Sequence, residues 1–90
     1  MEQEFLAACA VSREKAAAIG IRIRPITDLQ QARRVLSGHR ESDGFFSLAA
    51  KGRLELSVEA LAVKKQFTGL FSDTEANNAL TRLLAAGYRF

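Results

Sequence analysis

Glycine punctuates this chain at Gly20, Gly38, Gly52, Gly69 and Gly87, each time closing a stretch that reads as helix or helical turn. The residue just past a helix often takes a left-handed backbone conformation, which glycine enters at little cost. Start signals match these stops. Thr27 stands three residues before Gln30, and Ser72 three before Glu75, the spacing at which a hydroxyl and an acid or amide satisfy each other's orphan amides. Ser57, and Ser42 or Asp43, are plainer N-cap candidates.

Five helical segments follow. The first runs from about Glu2 to Ile19, with Phe5, Cys9, Ala16 and Ile19 near one face and a candidate restart at Ser12. The second spans about Asp28 to Ser37 and carries Leu29, Ala32 and Leu36 as its apolar stripe. A third, about Gly44 to Lys51, presents Phe45, Leu48 and Ala49. The fourth covers about Val58 to Phe67, with Val58, Leu61 and Ala62 inward and Lys64 and Lys65 outward. In the fifth, Asp73 to Ala86, Ala76, Leu80, Leu83 and Leu84 recur at helical spacing, and Tyr88 packs back on Leu83. Phe71 reads as a staple beside the cap Ser72, with Leu70 closing the base of the last two helices.

One stretch breaks the helical pattern. Ile21-Arg22-Ile23-Arg24 alternates strictly and meets Pro25, which disfavours helix before it. Arg53-Leu54-Glu55-Leu56 alternates likewise. Residues 21–24 and 53–56 are therefore candidates to pair as a short two-stranded ribbon. The expected fold is all-α or nearly so, in a single domain over residues 1–90.

Composition sets the outer limits. Of 90 residues, 48% are hydrophobic and 26% charged, which is too apolar for a disordered chain. Cys9 is the lone cysteine, so no intrachain disulfide and no Cys-based zinc pattern exists. The acidic start Met1-Glu2-Gln3-Glu4 is unlike a signal peptide, and the apolar run Leu6 to Val11 is too short to span a bilayer. A cytoplasmic protein with no membrane partner is expected. A net charge of +3 permits nucleic-acid contact without requiring it.

Catalytic patterns are sparse. His39 lies among Arg40, Glu41, Ser42 and Asp43, but neighbours in one loop do not supply the separate positions a triad needs. Ser12-Arg13-Glu14-Lys15 has a Ser-x-x-Lys spacing that arises often by chance. Cys9, on an apolar face, reads as a small buried hydrophobe. With no phosphate loop and no metal or cofactor motif, the expectation is a non-enzymatic module.

Two binding readings remain. In the first, apolar residues outside the core serve as anchors for an unidentified protein partner: Phe46, which cannot be buried together with Phe45 on one helix, Leu70, and the tail residues Tyr88 and Phe90. In the second, Arg22, Arg24, Arg33, Arg34 and Arg40 form a cationic face for duplex DNA. A strand at 21–24 followed by helices 28–37 and 44–51 resembles the order of ribbon-helix-helix repressors, although Arg40 stands where that family's inter-helix turn carries a hydroxyl residue. The resemblance, topological and about thirty residues long, implies a homodimer whose paired strands enter the major groove. A helix-turn-helix over residues 57–86, with Asn77 and Asn78 reading adenine, is the lesser DNA option, because Asp73 and Glu75 would face phosphate at its N-terminus.

Overall fold

In the structure, a computed structural model that describes residues 1–89, the order is α1 (Glu2–Ala18), α2 (Leu29–Ser37), α3 (Phe45–Ala50), a 3-10 turn (Leu54–Leu56), α4 (Val58–Ala62), a second 3-10 turn (Lys65–Leu70) and α5 (Asp73–Ala85). The expected all-α globule is what forms. Its Cα radius of gyration, 11.7 Å, is close to the roughly 12 Å of a folded chain of this length.

The core has two joined parts. Phe5 and Cys9 of α1, Ala32 and Leu36 of α2, Val58, Leu61 and Ala62 of α4, and Phe67, Phe71 and Ala79 make the first. Phe5 sits between Phe67 and Phe71 in edge-on ring contacts, with centroids 5.3 and 5.1 Å apart. Ala16, Ile21, Phe45, Leu48, Leu54, Leu56, Ala60 and Leu83 make the second. α4 feeds both and is buried at all five of its residues. It is the axle of the fold.

That burial explains why α4 is shorter than the sequence suggested. Extending the helix through Lys64, Lys65 and Gln66 would carry two charges along a buried path. Instead the backbone leaves the helix after Ala62, and Lys64 to Gln66 reach solvent. α1, by contrast, runs unbroken through Ser12, which is buried rather than capping a new helix.

The ribbon does not form: among the described residues there is no strand. Ile21 to Arg24 is extended, and its alternation survives, with Ile21 buried, Ile23 half-buried and both arginines exposed. Its backbone groups find other partners. Ile21 N–H donates to Ala16 O at 2.9 Å in the cap that closes α1. Ile23 O accepts from Arg13 Nε, and Arg24 N–H donates to Asp43 Oδ2, each at 2.8 Å. Residues 54–56 satisfy themselves locally, through Leu56 N–H to Arg53 O and Ser57 N–H and Oγ to Leu54 O. With these groups used, little is left for a ladder.

Local signals are otherwise well obeyed. Ser72 accepts from Glu75 N–H while Glu75 accepts from Ser72 N–H, completing the capping box of α5. Ser57 caps α4. At α2 the cap is one residue later than expected: Asp28 accepts from Gln31 N–H, and the Gln31 carboxamide oxygen accepts from Thr27 N–H and Oγ1. Gly38 closes α2 without a left-handed backbone, and Gly69 lies inside the second 3-10 turn rather than past its end. Phe71 is buried as expected.

Candidate binding groove

α5 does not turn its most apolar stripe inward. The buried set is Glu75, Ala79, Arg82 and Leu83, while Leu84 is 61% exposed. Two charged residues face the interior because each has a fixed partner there. Glu75 accepts from Arg33 Nε at 3.2 Å, beside its capping bond. Arg82 reaches deeper. Its Nη1 lies 3.2 Å from Glu59 Oε2 and 3.2 Å from Val35 O, and its Nη2 donates to Gly38 O at 2.6 Å and Leu36 O at 3.4 Å.

This guanidinium therefore caps the C-terminus of α2, where bare carbonyls and the helix dipole both favour a cation. Asn78, one turn earlier on α5, also donates to Leu36 O, at 2.9 Å. Glu59, fully buried, passes the connection onward: it accepts from Ser42 N–H at 2.8 Å and from Ser42 Oγ. The chain from Gly38 to Ser42 is thus tied to α4 and α5 at both ends, although its middle, His39 and Arg40, is exposed.

A groove of about 480 Å³ opens between this braced loop, α2 and the extended segment before it. Ile23, Ile26, Val35 and Val58 give it an apolar lining. Asp43 Oδ2, holding Arg24 N–H, links the loop to the extended wall, and Gln31 Nε2, donating to Pro25 O at 2.9 Å, links that wall to α2. Arg24, Arg34 and Arg40 stand around the groove with His39, Glu41 and Asp43. Their three guanidinium groups make no hydrogen bond or ion pair among the described residues.

The five arginines of the cationic-face reading are thereby divided. Arg24, Arg34 and Arg40 share the groove, Arg33 is held by Glu75, and Arg22 lines a separate depression with Arg13 and Glu14. The strand that would have carried Arg22 and Arg24 into a major groove is absent among the described residues. Of the residues in the helix-turn-helix option, α4 is buried at all five positions, Asn78 donates to Leu36 O, and Asn77 is exposed.

The apolar anchors are also dispersed. Phe46 is 67% exposed, its ring edge-on to Phe45, in a shallow depression that shares Arg40 to Asp43 with the main groove. Leu70 is half-buried against the first part of the core and Tyr88 against the second. Phe90 lies outside the described residues.

Sequence reasoning missed the lining residues Ile26, Val35 and Val58, and the Glu59–Arg82 pair behind them. No local sequence signal marks the pair, because Arg82 lies off the apolar stripe of Ala76, Leu80, Leu83 and Leu84. The reactive side chains are otherwise occupied. Ser42 Oγ donates to Glu59, and burial pushes the Cys9 thiol up to about 12, well away from a reactive thiolate at neutral pH. Among the described residues no His, Cys, Asp and Glu cluster could hold a metal ion, and no helix is long and apolar enough to cross a membrane. Comparison with protein-family models, with curated proteins and with solved structures gave no match.

Proposed function

We propose that this protein is a small non-enzymatic interaction module of the cytoplasm that holds a segment of a protein partner in the groove between α2 and the Gly38–Asp43 loop. The observation that carries this reading is an open apolar lining inside a frame whose walls are cross-braced by buried and backbone-directed hydrogen bonds. A preorganised surface loses less freedom on binding, so more of its contact energy appears as affinity. Phe46 extends the apolar surface past Arg40 to Asp43 and, of the three anchors among the described residues, is the one that lies beside the groove in full view of solvent. Leu70 and Tyr88 have packing roles that account for them.

Duplex DNA suits this arrangement less well. Its phosphates lie on a convex rod and are met by protruding or flat cationic faces. Here three arginines surround a concave apolar surface, Arg33 is neutralised by Glu75, and Arg22 is apart.

The reading is tested by capture from cell lysate with wild-type protein, Val35→Glu and Phe46→Ser. Val35 is half-buried and Phe46 exposed, so both variants are expected to keep the wild-type circular dichroism spectrum. A protein retained by wild type and lost from both variants is the expected result. Retention of the same proteins by all three would remove the groove from the function. Binding of random duplex DNA that falls log-linearly with salt would favour the nucleic-acid reading instead.

A further inference from the structure

We propose that the groove's occupant is an acidic amphipathic segment of the partner, its carboxylates paired with Arg24, Arg34 and Arg40 and its apolar side chains laid on Ile23, Ile26, Val35 and Val58; this rests on the protein-binding reading above. The distribution of arginine partners carries it. Arg13 donates to Ile23 O, Arg33 pairs with Glu75, Arg53 with Glu55 and Arg82 with Glu59. The guanidinium groups of Arg22, Arg24, Arg34, Arg40 and Arg89 have no such bond among the described residues, and Arg24, Arg34 and Arg40 line the same apolar surface while Arg22 and Arg89 lie apart from it. Guanidinium matches carboxylate geometry with two parallel hydrogen bonds, and the match strengthens as an occupant displaces water from the apolar floor.

The carboxylates already present sharpen the specificity. Asp43 is turned to the backbone of Arg24 through Oδ2, so it structures the wall. Glu41, half-buried on the same groove, has no hydrogen bond or ion pair among the described residues. An acidic segment is repelled at that point, so the side chain it places beside Glu41 is neutral or basic. Replacing Glu41 by Gln should therefore tighten an acidic occupant, whereas replacing any of the three arginines should weaken it.

The experiment is selection of random sixteen-residue peptides, from an unbiased display library, on immobilised full-length protein. Enriched peptides are then synthesised and titrated by fluorescence anisotropy, with amide shifts locating the site. Peptides combining Asp or Glu with large apolar residues are expected, shifting the amides of Ile23, Arg24, Ile26, Val35 and Arg40 to Asp43. Each of Arg24→Glu, Arg34→Glu and Arg40→Glu should weaken them roughly two- to fivefold, and the triple variant roughly ten- to a hundredfold if the effects add. Affinity should fall with added salt, and Glu41→Gln should raise it. Should the triple variant fail to fold, Arg34→Glu alone decides, since Arg34 is exposed and its guanidinium has no hydrogen bond or ion pair among the described residues.

Enrichment of groove-bound peptides without acidic residues would overturn the acidic occupant and leave the protein-binding reading standing. No peptide locating to the groove would overturn both. An arginine-dependent preference for random duplex DNA over every selected peptide would overturn both in favour of nucleic acid.

Discussion

Arg82 and Glu59 meet in the interior with Nη1 and Oε2 3.2 Å apart, the carboxylate fully buried and the guanidinium nearly so. Neither charge is left to the other alone. Glu59 also accepts two hydrogen bonds from Ser42, and Arg82 donates to carbonyls of Val35, Leu36 and Gly38. A pair so placed joins α5, α4, the end of α2 and the groove's loop through two side chains.

Removing one partner strands the other in a low dielectric. Glu59→Gln and Arg82→Met are each expected to lower stability by about 3–5 kcal/mol. Replacing both, as Glu59→Leu with Arg82→Met, should cost less than the two single losses summed, because no charge is left uncompensated. Urea unfolding of the four proteins checks this. Single losses under about 1 kcal/mol would show that the pair does not hold these elements together.

Whether such features can be read from sequence depends on how far apart in the chain the partners lie. The capping box of Ser72 and Glu75 spans three residues and was legible, as were the inward positions of Phe5, Cys9, Ala16 and Ala32. Alternation at 21–24 correctly gave which side chains point inward. It said nothing of backbone partners, which come from Ala16, Arg13 and Asp43 and replace the expected ribbon. The face of α5 was misjudged because hydrophobicity alone cannot anticipate that Arg82 is welcome inside, where Glu59 and three carbonyls await it. The groove is assembled from residues 23 to 58, and no local pattern announces it.

Glu75 serves two partners, and that makes its cap separable from its ion pair. Ser72→Ala removes the hydroxyl that accepts from Glu75 N–H and should cost about 0.5–2 kcal/mol. Glu75→Gln retains an acceptor for Ser72 N–H but loses the charge facing Arg33, whose side chain is 40% exposed. Its cost should be the smaller of the two and should shrink with added salt. Thermal unfolding at low and high salt tests both. A cost for Glu75→Gln that equals Ser72→Ala and ignores salt would contradict this division.

Cys9 makes stability depend on alkaline pH. Burial raises its thiol from 9.0 to about 12 in the folded chain. A group whose folded-state value is raised contributes fully below its unfolded value and loses that contribution as pH climbs to the folded one. The window is therefore pH 9 to 12. At about 1.4 kcal/mol per tenfold, the loss across it is at most about 4 kcal/mol. The measurement is the difference in pH slope between wild type and Cys9→Ala. The wild type should fall more steeply. Equal slopes would mean that the thiol is not held neutral by the fold, and rapid labelling of native protein by a thiol reagent at pH 8 would say the same.

Gly44 stands where α3 meets the extended segment, and two independent constraints act on it. Its φ is +78°, a conformation that costs an L-residue about 1–2 kcal/mol. A Cβ there would also lie 2.9 Å from Ile23 Cγ1 and 3.5 Å from Ile21 Cγ2. Ile23 cannot yield freely, because its carbonyl is held by Arg13 and the next amide by Asp43. Gly20 offers the matched control. At φ +84° it carries the same backbone penalty, but an added Cβ meets nothing within 4 Å. Gly20→Ala should therefore lose only the backbone term, about 1 kcal/mol, and Gly44→Ala about 1–2 kcal/mol more. Denaturant unfolding gives both values. Amide shifts should in addition move at Ile23 and Arg24 in Gly44→Ala and stay in place in Gly20→Ala, because only the first pushes on the groove wall. Equal losses in the two variants would mean that the contact with Ile23 relaxes without cost, and that this wall is softer than its hydrogen bonds imply.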